Sequence, residues 1–150
     1  MDLGDASRER TVVFAYPRTG LPDREIPAGW NEIPGARGCT PQTCGYRDRY
    51  SDLRSRGVDV VGLSTQTTEY QAEMARRLGL PFPVLSDAGL ALTRALRLPT
   101  FTFEGMTLIK RLTLILHEAL IERVFYPVFP PDANAADVIH WLVERRTAAT

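Results

Sequence analysis

Short apolar runs alternate along the first half of the chain with stretches of helical spacing. Residues 11–16 (TVVFAY), 58–63 (VDVVGL) and 82–85 are rich in β-branched or aromatic side chains and are bounded by proline or glycine, which predicts buried strands. Residues 39–56 and 67–78 have helical spacing, and a glycine follows each of them. The first half therefore predicts the order strand, helix, strand, helix, strand.

The second half of the chain predicts one more helix, then strands, then a closing helix. Residues 88–96 are expected to be helical, and the predicted strands are 100–103, 106–116 and 120–126, of which the last two resemble a hairpin. We expect Asp132 to cap a helix over 133–146, with Val138, Trp141 and Leu142 in its apolar stripe. These elements predict an α/β fold in which a central mixed sheet is flanked by helices on both faces.

Length and charge narrow the range of functions. A chain of 150 residues is of ordinary size for one domain, so we expect a single domain over 1–150. Because 18 Lys and Arg residues balance 18 Asp and Glu residues, we expect neither nucleic acid nor a membrane surface as a partner. No uncharged stretch reaches the roughly 20 apolar residues of a membrane-spanning helix, and residues 1–10 do not resemble a secretory signal. We therefore expect a cytoplasmic protein.

The two cysteines, Cys39 and Cys44, lie five residues apart within one predicted helix. Cys39 stands at the helix N-terminus, where unpaired backbone N–H groups and the helix dipole favour a thiolate. On an intact helix the two Cα atoms would be roughly 8 to 9 Å apart, whereas a disulfide requires about 7 Å or less. If the two cysteines pair, the first turns of the helix must therefore unwind, as in a redox cycle.

Other interpretations of this pair remain open at this point. Two buried cysteines often act only as small hydrophobic side chains. A zinc site normally has four ligands, and the two histidines, His117 and His140, are not at motif spacing, so no metal is predicted. The C-x4-C spacing also differs from the C-x-x-C of a disulfide reductase.

Residues 38–48 (GCTPQTCGYRD) resemble the active-site helix of the peroxiredoxins, most closely the bacterioferritin comigratory protein or peroxiredoxin Q branch. Three further segments support this resemblance: 14–17 (FAYP) is similar to the strand and proline that lead into the site, and 60–65 and 79–87 are similar to the next segments of the family. Residues 110–114 (KRLTL) resemble the strand that supplies the active-site arginine. The resemblance extends from about residue 11 to the C-terminus.

The resemblance implies a thioredoxin-like fold and a peroxidase for hydrogen peroxide and organic hydroperoxides, with no metal or organic cofactor. It implies that Cys39 is the peroxidatic nucleophile, Cys44 the resolving thiol, and Arg111 the cation that holds the thiolate and the peroxide. Thioredoxin or another dithiol would then reduce the oxidised pair. The alternative is a redox-sensing module, in which the same cysteine pair switches the helix and a partner detects the change.

Two departures from the family pattern lead to further expectations. Ala36 occupies the position of the family hydroxyl, so we expect Thr19, rather than Thr40, to supply a hydroxyl beside Pro17 and Gly38 in the peroxide site. The loop over 18–38 is longer than in the family, and the usual N-terminal hairpin is not evident. An uncovered sheet edge could favour association, so we expect a monomer or a weak homodimer.

Two arginines close to the cysteines in sequence, and three aromatic residues near the C-terminus, have expected roles outside the direct chemistry. Arg37 could assist the thiolate, although a solvated loop charge is the simpler interpretation. Arg47, together with Asp48, matches the family string, and we expect it to serve in packing or an ion pair rather than in direct chemistry. Phe125, Tyr126 and Phe129 are expected to lie in the core, with a dimer surface as the alternative.

Overall fold

The structure, a computed structural model, describes residues 10–18, 29–30, 38–118 and 120–148, with side chains up to residue 144. Its strands and helices occur in an alternating order in the first half of the chain, as the sequence predicts. The strands are β1 (Arg10–Ala15), β2 (Val58–Ser64), β3 (Val84–Ser86), β4 (Thr100–Phe103), β5 (Met106–Ile109), β6 (Leu112–His117) and β7 (Leu120–Phe125). The helices are α1 (Cys39–Ser55), α2 (Thr68–Leu78), α3 (Ala91–Ala95) and α4 (Asn134–Ala148), and a 3-10 turn over Pro131–Ala133 precedes α4.

Five of these strands form one mixed sheet in the order β3-β2-β1-β6-β7. β1 and β3 both run parallel to β2, whereas β6 is antiparallel to its neighbours β1 and β7. β4 and β5 form a separate antiparallel pair. The carboxyl ends of β1 and β2 therefore lie at the same edge of the sheet, and α1 is the next described helix after β1.

The two faces of β1 contact different helices because side chains alternate across a strand. Val12 and Phe14 pack into a core cluster with residues of α1, α2 and α4, whereas Val13 and Ala15 pack with residues of β5 and α3. The ring of Phe14 stacks on Tyr46 of α1 at a centroid distance of 4.5 Å. The prediction of a central mixed sheet flanked by helices on both faces is therefore confirmed.

The structure corrects one predicted strand and the start of one predicted helix. Residues 106–116 do not form one strand, because the chain turns at Lys110 and Arg111, so that β5 pairs with β4 while β6 pairs with β1. Asp132 does not cap α4, because it lies within the 3-10 turn and the helix begins at Asn134. An apolar run shows that strands are present but not which neighbours they pair with.

Two shorter elements are also displaced from their predicted positions. The predicted helix over 88–96 is confined to α3, since Leu90 adopts a left-handed conformation with φ 63° at its start. The strand predicted over 82–85 is found at Val84–Ser86, because only these residues pair with β2. The hairpin of β6 and β7 is confirmed.

The aromatic group near the C-terminus is only partly in the core. Phe125 packs against the main core cluster, but Tyr126 and Phe129 are 49% and 87% exposed, so their predicted core positions are wrong. They follow β7, which is the edge strand of the sheet and has no further strand to cover it within the described part of the chain. Among the described helices, none combines the length and apolar character needed to cross a membrane.

Candidate active site

Cys39 is the first residue of α1, and its position depends on the glycine before it. Gly38 has φ 99°, a left-handed conformation that favours glycine. A Cβ atom at Gly38 would also lie 2.6 Å from Cγ of Pro131, so the 3-10 turn before α4 packs directly on the start of α1. Gly38 therefore fixes where α1 begins, and with it the buried position of Cys39, which is 3% exposed.

Arg111 is brought to Cys39 by the turn between β5 and β6. Its Nη2 donates to Sγ of Cys39 over 3.2 Å, although the two residues are far apart in the sequence. The guanidinium is buried, with 3% of the residue exposed, so solvent screens its charge weakly. A cation and a helix N-terminus thus meet at one sulfur atom, and both favour a negatively charged sulfur.

A buried side-chain network holds Arg111 in this position. Nη1 of Arg111 donates to Oε1 of Gln42 over 2.6 Å, and Nε2 of Gln42 donates to Oδ1 of Asn134 over 3.2 Å. The same Asn134 oxygen accepts hydrogen bonds from the hydroxyls of Tyr46 and Thr113. This network, from Arg111 through Gln42 to Asn134, joins the active-site helix to β6 and to the start of α4.

Two tyrosines are buried around the site and remain protonated. Burial raises the pKa of Tyr46 well above its ordinary value. Burial also raises the pKa of Tyr16, and the nearby charge of Cys39 adds to the rise even though the hydrogen bond to Gln71 opposes it. The hydroxyl of Tyr16 donates to Oε1 of Gln71 over 2.7 Å. Both tyrosines therefore shape the site as neutral hydrogen-bond donors.

Cys44 lies on a different part of α1 from Cys39. It is half-buried, and α1 is continuous from Cys39 to Ser55, so the two thiols are not joined by a disulfide. The hydrogen bond to Asp48 raises the pKa of Arg47, and the charge of Cys44 contributes to that rise. Arg47 also donates to the Leu78 carbonyl oxygen over 2.9 Å, which ties α1 to α2. The ion pair predicted for Arg47 and Asp48 is present, with Nε 3.0 Å from Oδ1.

The structure brings three of the predicted site residues together: Cys39, Gly38 and Arg111. Pro17 is buried directly after Tyr16, and Thr40 is half-buried in the first turn of α1. Thr19 and Arg37 lie outside the described residues. In the part of the chain that the structure describes, no group of three or more His, Cys, Asp or Glu side chains could hold a metal ion.

The residues that support the site are not apparent from the sequence. Gln42 and Thr43 were inside the motif, but nothing in their spacing distinguished them from surface positions of the helix. Thr43 is buried, and its hydroxyl donates to the Cys39 carbonyl oxygen over 2.7 Å. Asn134 is remote in sequence, and the only signal for it is that it is a short polar residue near a helix start, a position for which Asp132 is an equal candidate.

The Redoxin family model matches residues 1–139 of the chain. Chloroplastic peroxiredoxin Q from Sedum lineare is 31% identical over 132 residues, which are 87% of this chain and 62% of that protein. Peroxiredoxin Bcp from Escherichia coli strain K12 is 34% identical over 87 residues, 58% of this chain and 46% of that protein. The chain thus spans less than two thirds of the length of these curated relatives.

Solved structures show the same fold. The peroxidoxin BcpB of Mycobacterium tuberculosis superposes with a TM-score of 0.75 at 23% identity, covering 95% of this chain and 84% of that one. The bacterioferritin comigratory protein of Xanthomonas campestris superposes with a TM-score of 0.77 at 19% identity, covering 97% and 85%. The resemblance to the bacterioferritin comigratory protein and peroxiredoxin Q branch is confirmed, and the chain belongs to the Redoxin family.

Proposed function

We propose that the protein is a thiol-dependent peroxidase that reduces hydrogen peroxide and organic hydroperoxides with its own two cysteines. The observation that carries this proposal is the contact between Nη2 of Arg111 and Sγ of Cys39, 3.2 Å long, at the N-terminus of α1. A sulfur held by a buried cation and a helix N-terminus is prepared for nucleophilic attack.

In the first step, the Cys39 thiolate attacks the terminal oxygen of the peroxide. An S–O bond forms while the O–O bond breaks, and the leaving oxygen takes a proton to give water or an alcohol. Cys39 becomes a sulfenic acid. Negative charge moves from sulfur to the leaving oxygen, and Arg111, which contacts the Cys39 sulfur, can stabilise it. We propose that Pro17, Gly38 and Thr40 line the peroxide side of Cys39 and that Thr19 supplies a hydroxyl there. For Arg37, a solvated charge is the simpler interpretation.

In the second step, the Cys44 thiol attacks the sulfenic sulfur, forms a disulfide and releases water. Because an intact α1 holds the two Cα atoms roughly 8 to 9 Å apart, the first turns of the helix must open. The side chain of Gln42 must then leave both Arg111 and Asn134. An external dithiol, such as thioredoxin, returns both cysteines to thiols by disulfide exchange.

The relatives support this assignment of chemistry. The Xanthomonas campestris protein of the same fold reduces alkyl peroxides, and the relatives similar in sequence are named peroxiredoxins. A peroxide substrate and a dithiol reductant are therefore the partners we propose. We further propose the cytoplasm as the compartment, because reducing conditions there keep such thiols reduced between turnovers.

Cysteine variants test the mechanism. Cys39→Ser should abolish peroxide consumption, since a serine hydroxyl is not ionised near neutral pH. Cys44→Ser should consume one equivalent of peroxide and then stop in a thioredoxin-coupled assay. Undiminished consumption by Cys39→Ser would overturn the assignment of the nucleophile, and continued thioredoxin-linked turnover by Cys44→Ser would overturn that of the resolving thiol. A wild-type Cys39 that reacts no faster than an ordinary thiol would instead favour the redox-sensing module.

We propose a monomer or a weak homodimer as the assembly. The exposed side chains of Tyr126 and Phe129 beside edge strand β7 supply an apolar surface, but an exposed apolar surface of this kind does not by itself make a stable dimer. Sedimentation at several protein concentrations measures the assembly, and a dimer that persists on strong dilution would contradict the proposal.

A further inference from the structure

A cavity separate from the peroxide site opens where β2 ends. Its volume is about 440 Å³, within the size range of small-molecule sites. The walls come from the segment after β1, the segment after β2, the start of α2, the segment before α3, and β5. The lining residues that determine its charge and polarity include Arg18, Thr65, Leu90, Met106 and Leu108.

The cavity combines an apolar wall with one cation. Leu90, Met106 and Leu108 supply aliphatic surface, while Arg18 supplies the positive charge. The Arg18 side chain is 25% exposed, and its Nη1 is buried without a hydrogen-bond partner among the described residues. The Glu104 carboxylate lies near this nitrogen, with Oε2 3.9 Å from Nη1, which is beyond hydrogen-bond distance. The accessible quarter of this side chain gives the cavity its positive charge, and a positive charge beside an apolar wall favours an anion there.

The walls of the cavity are held in place by hydrogen bonds. The hydroxyl of Thr65 donates to the Thr107 carbonyl oxygen over 2.7 Å, which joins the end of β2 to β5. The hydroxyl of Ser86 donates to the Gln66 carbonyl oxygen over 2.5 Å and fixes the segment between β2 and α2. The cavity is therefore largely preformed, which limits the ordering cost of binding a ligand.

We propose that this cavity binds an alkyl carboxylate, with the carboxylate on the Arg18 guanidinium and the alkyl chain along Leu90, Met106 and Leu108. A planar carboxylate matches the fork of a guanidinium and can form charge-assisted hydrogen bonds with its accessible nitrogens. The chain would replace water on the aliphatic wall. Neither an inorganic anion nor an uncharged hydrocarbon would use both parts of the cavity.

Binding of octanoate, measured by calorimetry, tests this proposal, and octanamide is the uncharged control of the same shape. Arg18→Gln should weaken octanoate binding roughly tenfold or more, because a charge-assisted hydrogen bond is lost. Glu104→Gln should tighten it, because a competing carboxylate is removed. Arg94→Gln, at an exposed arginine that does not line the cavity, is the matched control.

Three results of these binding measurements would contradict the proposed site. No octanoate binding, equal binding of octanoate and octanamide, or equal binding by the Arg18→Gln and Arg94→Gln variants would overturn the proposal. Because Arg18→Gln can alter folding, thermal unfolding accompanies it, and the opposite effect of Glu104→Gln provides an independent test. Binding is also measured with the Cys39→Ser variant, so the result does not depend on peroxidase activity.

A kinetic comparison identifies the source of the carboxylate. Arg18 of the cavity directly follows Pro17 in the chain, and Pro17 is a residue that we propose to line the peroxide site. If the carboxylate belongs to the substrate, Arg18→Gln should raise KM for a hydroperoxide of octanoic acid relative to that for tert-butyl hydroperoxide. If it belongs to a separate ligand, this ratio stays constant while octanoate binding is lost. Either result supports the site.

Discussion

Replacement of Gln42 by leucine tests whether the buried network controls the opening of α1. Gln42 is fully buried, accepts a hydrogen bond from Arg111 and donates one to Asn134. In the proposed mechanism both bonds break before Cys44 reaches Cys39. A hydrogen bond to a charged group is worth about 1.5–3 kcal/mol. Leucine has a similar size but makes neither bond. We therefore expect the closed state of Gln42→Leu to lose about 2 kcal/mol, which makes opening roughly thirtyfold more favourable.

The expected consequence is faster resolution of the sulfenic acid. If the rate of disulfide formation follows the open fraction, Gln42→Leu should form the Cys39–Cys44 disulfide roughly thirtyfold faster after one equivalent of peroxide. At high peroxide, less Cys39 should be oxidised further to sulfinic acid, because the sulfenic acid has a shorter lifetime. Rapid mixing with acid quenching, followed by mass spectrometry of the Cys39 products, measures both quantities.

Gln71→Leu is the matched control. Gln71 is also a buried glutamine, but it lies on α2 and bonds to Tyr16, Ser64 and Leu85 rather than to the active-site network. The Gln71→Leu substitution should lower the free energy of unfolding without accelerating disulfide formation. If Gln42→Leu folds but resolves its sulfenic acid at the wild-type rate, or if Gln71→Leu accelerates it equally, the network does not control opening.

Three further predictions concern the same site. Arg111→Met should slow the first oxidation of Cys39 by roughly 100-fold or more in stopped-flow assays, because a donor that stabilises the developing charge is lost. An equal decrease in this rate for Arg94→Met would refute a local effect. Gly38→Ala should lower the free energy of unfolding by about 1–3 kcal/mol in chemical denaturation, because Gly38 has a positive φ and a Cβ atom there would collide with Pro131. Gly89→Ala, with open space around the residue, should change it little. Because burial raises the pKa of Tyr46 above its ordinary value of 10.0, the folded state keeps a proton that the unfolded chain loses. The contribution of Tyr46 to stability should therefore be constant below about pH 10 and should fall above it. Tyr46→Phe should flatten that fall relative to Tyr50→Phe, and equal slopes in urea titrations would contradict this.

The sequence predicts candidate site residues where the proposed chemistry depends on neighbours along the chain. Cys39, Gly38 and Cys44 belong to one contiguous segment, so the helix start and the five-residue spacing were visible directly. The fold class was also predictable, because alternating apolar runs and helical spacing reflect which faces are buried. Arg111 was found only through resemblance to a family, since no local pattern relates it to Cys39.

The sequence by itself determined the order of the elements in the first half of the chain, the start of α1 at Cys39 and the separation of the two cysteines, because all three follow from local spacing. The tertiary structure alone decided that Gln42 and Asn134 support Arg111, that residues 106–116 divide between two sheets, and that Arg18 lies in an apolar cavity. Hydrogen bonds of the network join residues up to 92 positions apart, as between Gln42 and Asn134. Contacts over such separations depend on how helices and strands pack, and that packing leaves no periodic signal in the sequence.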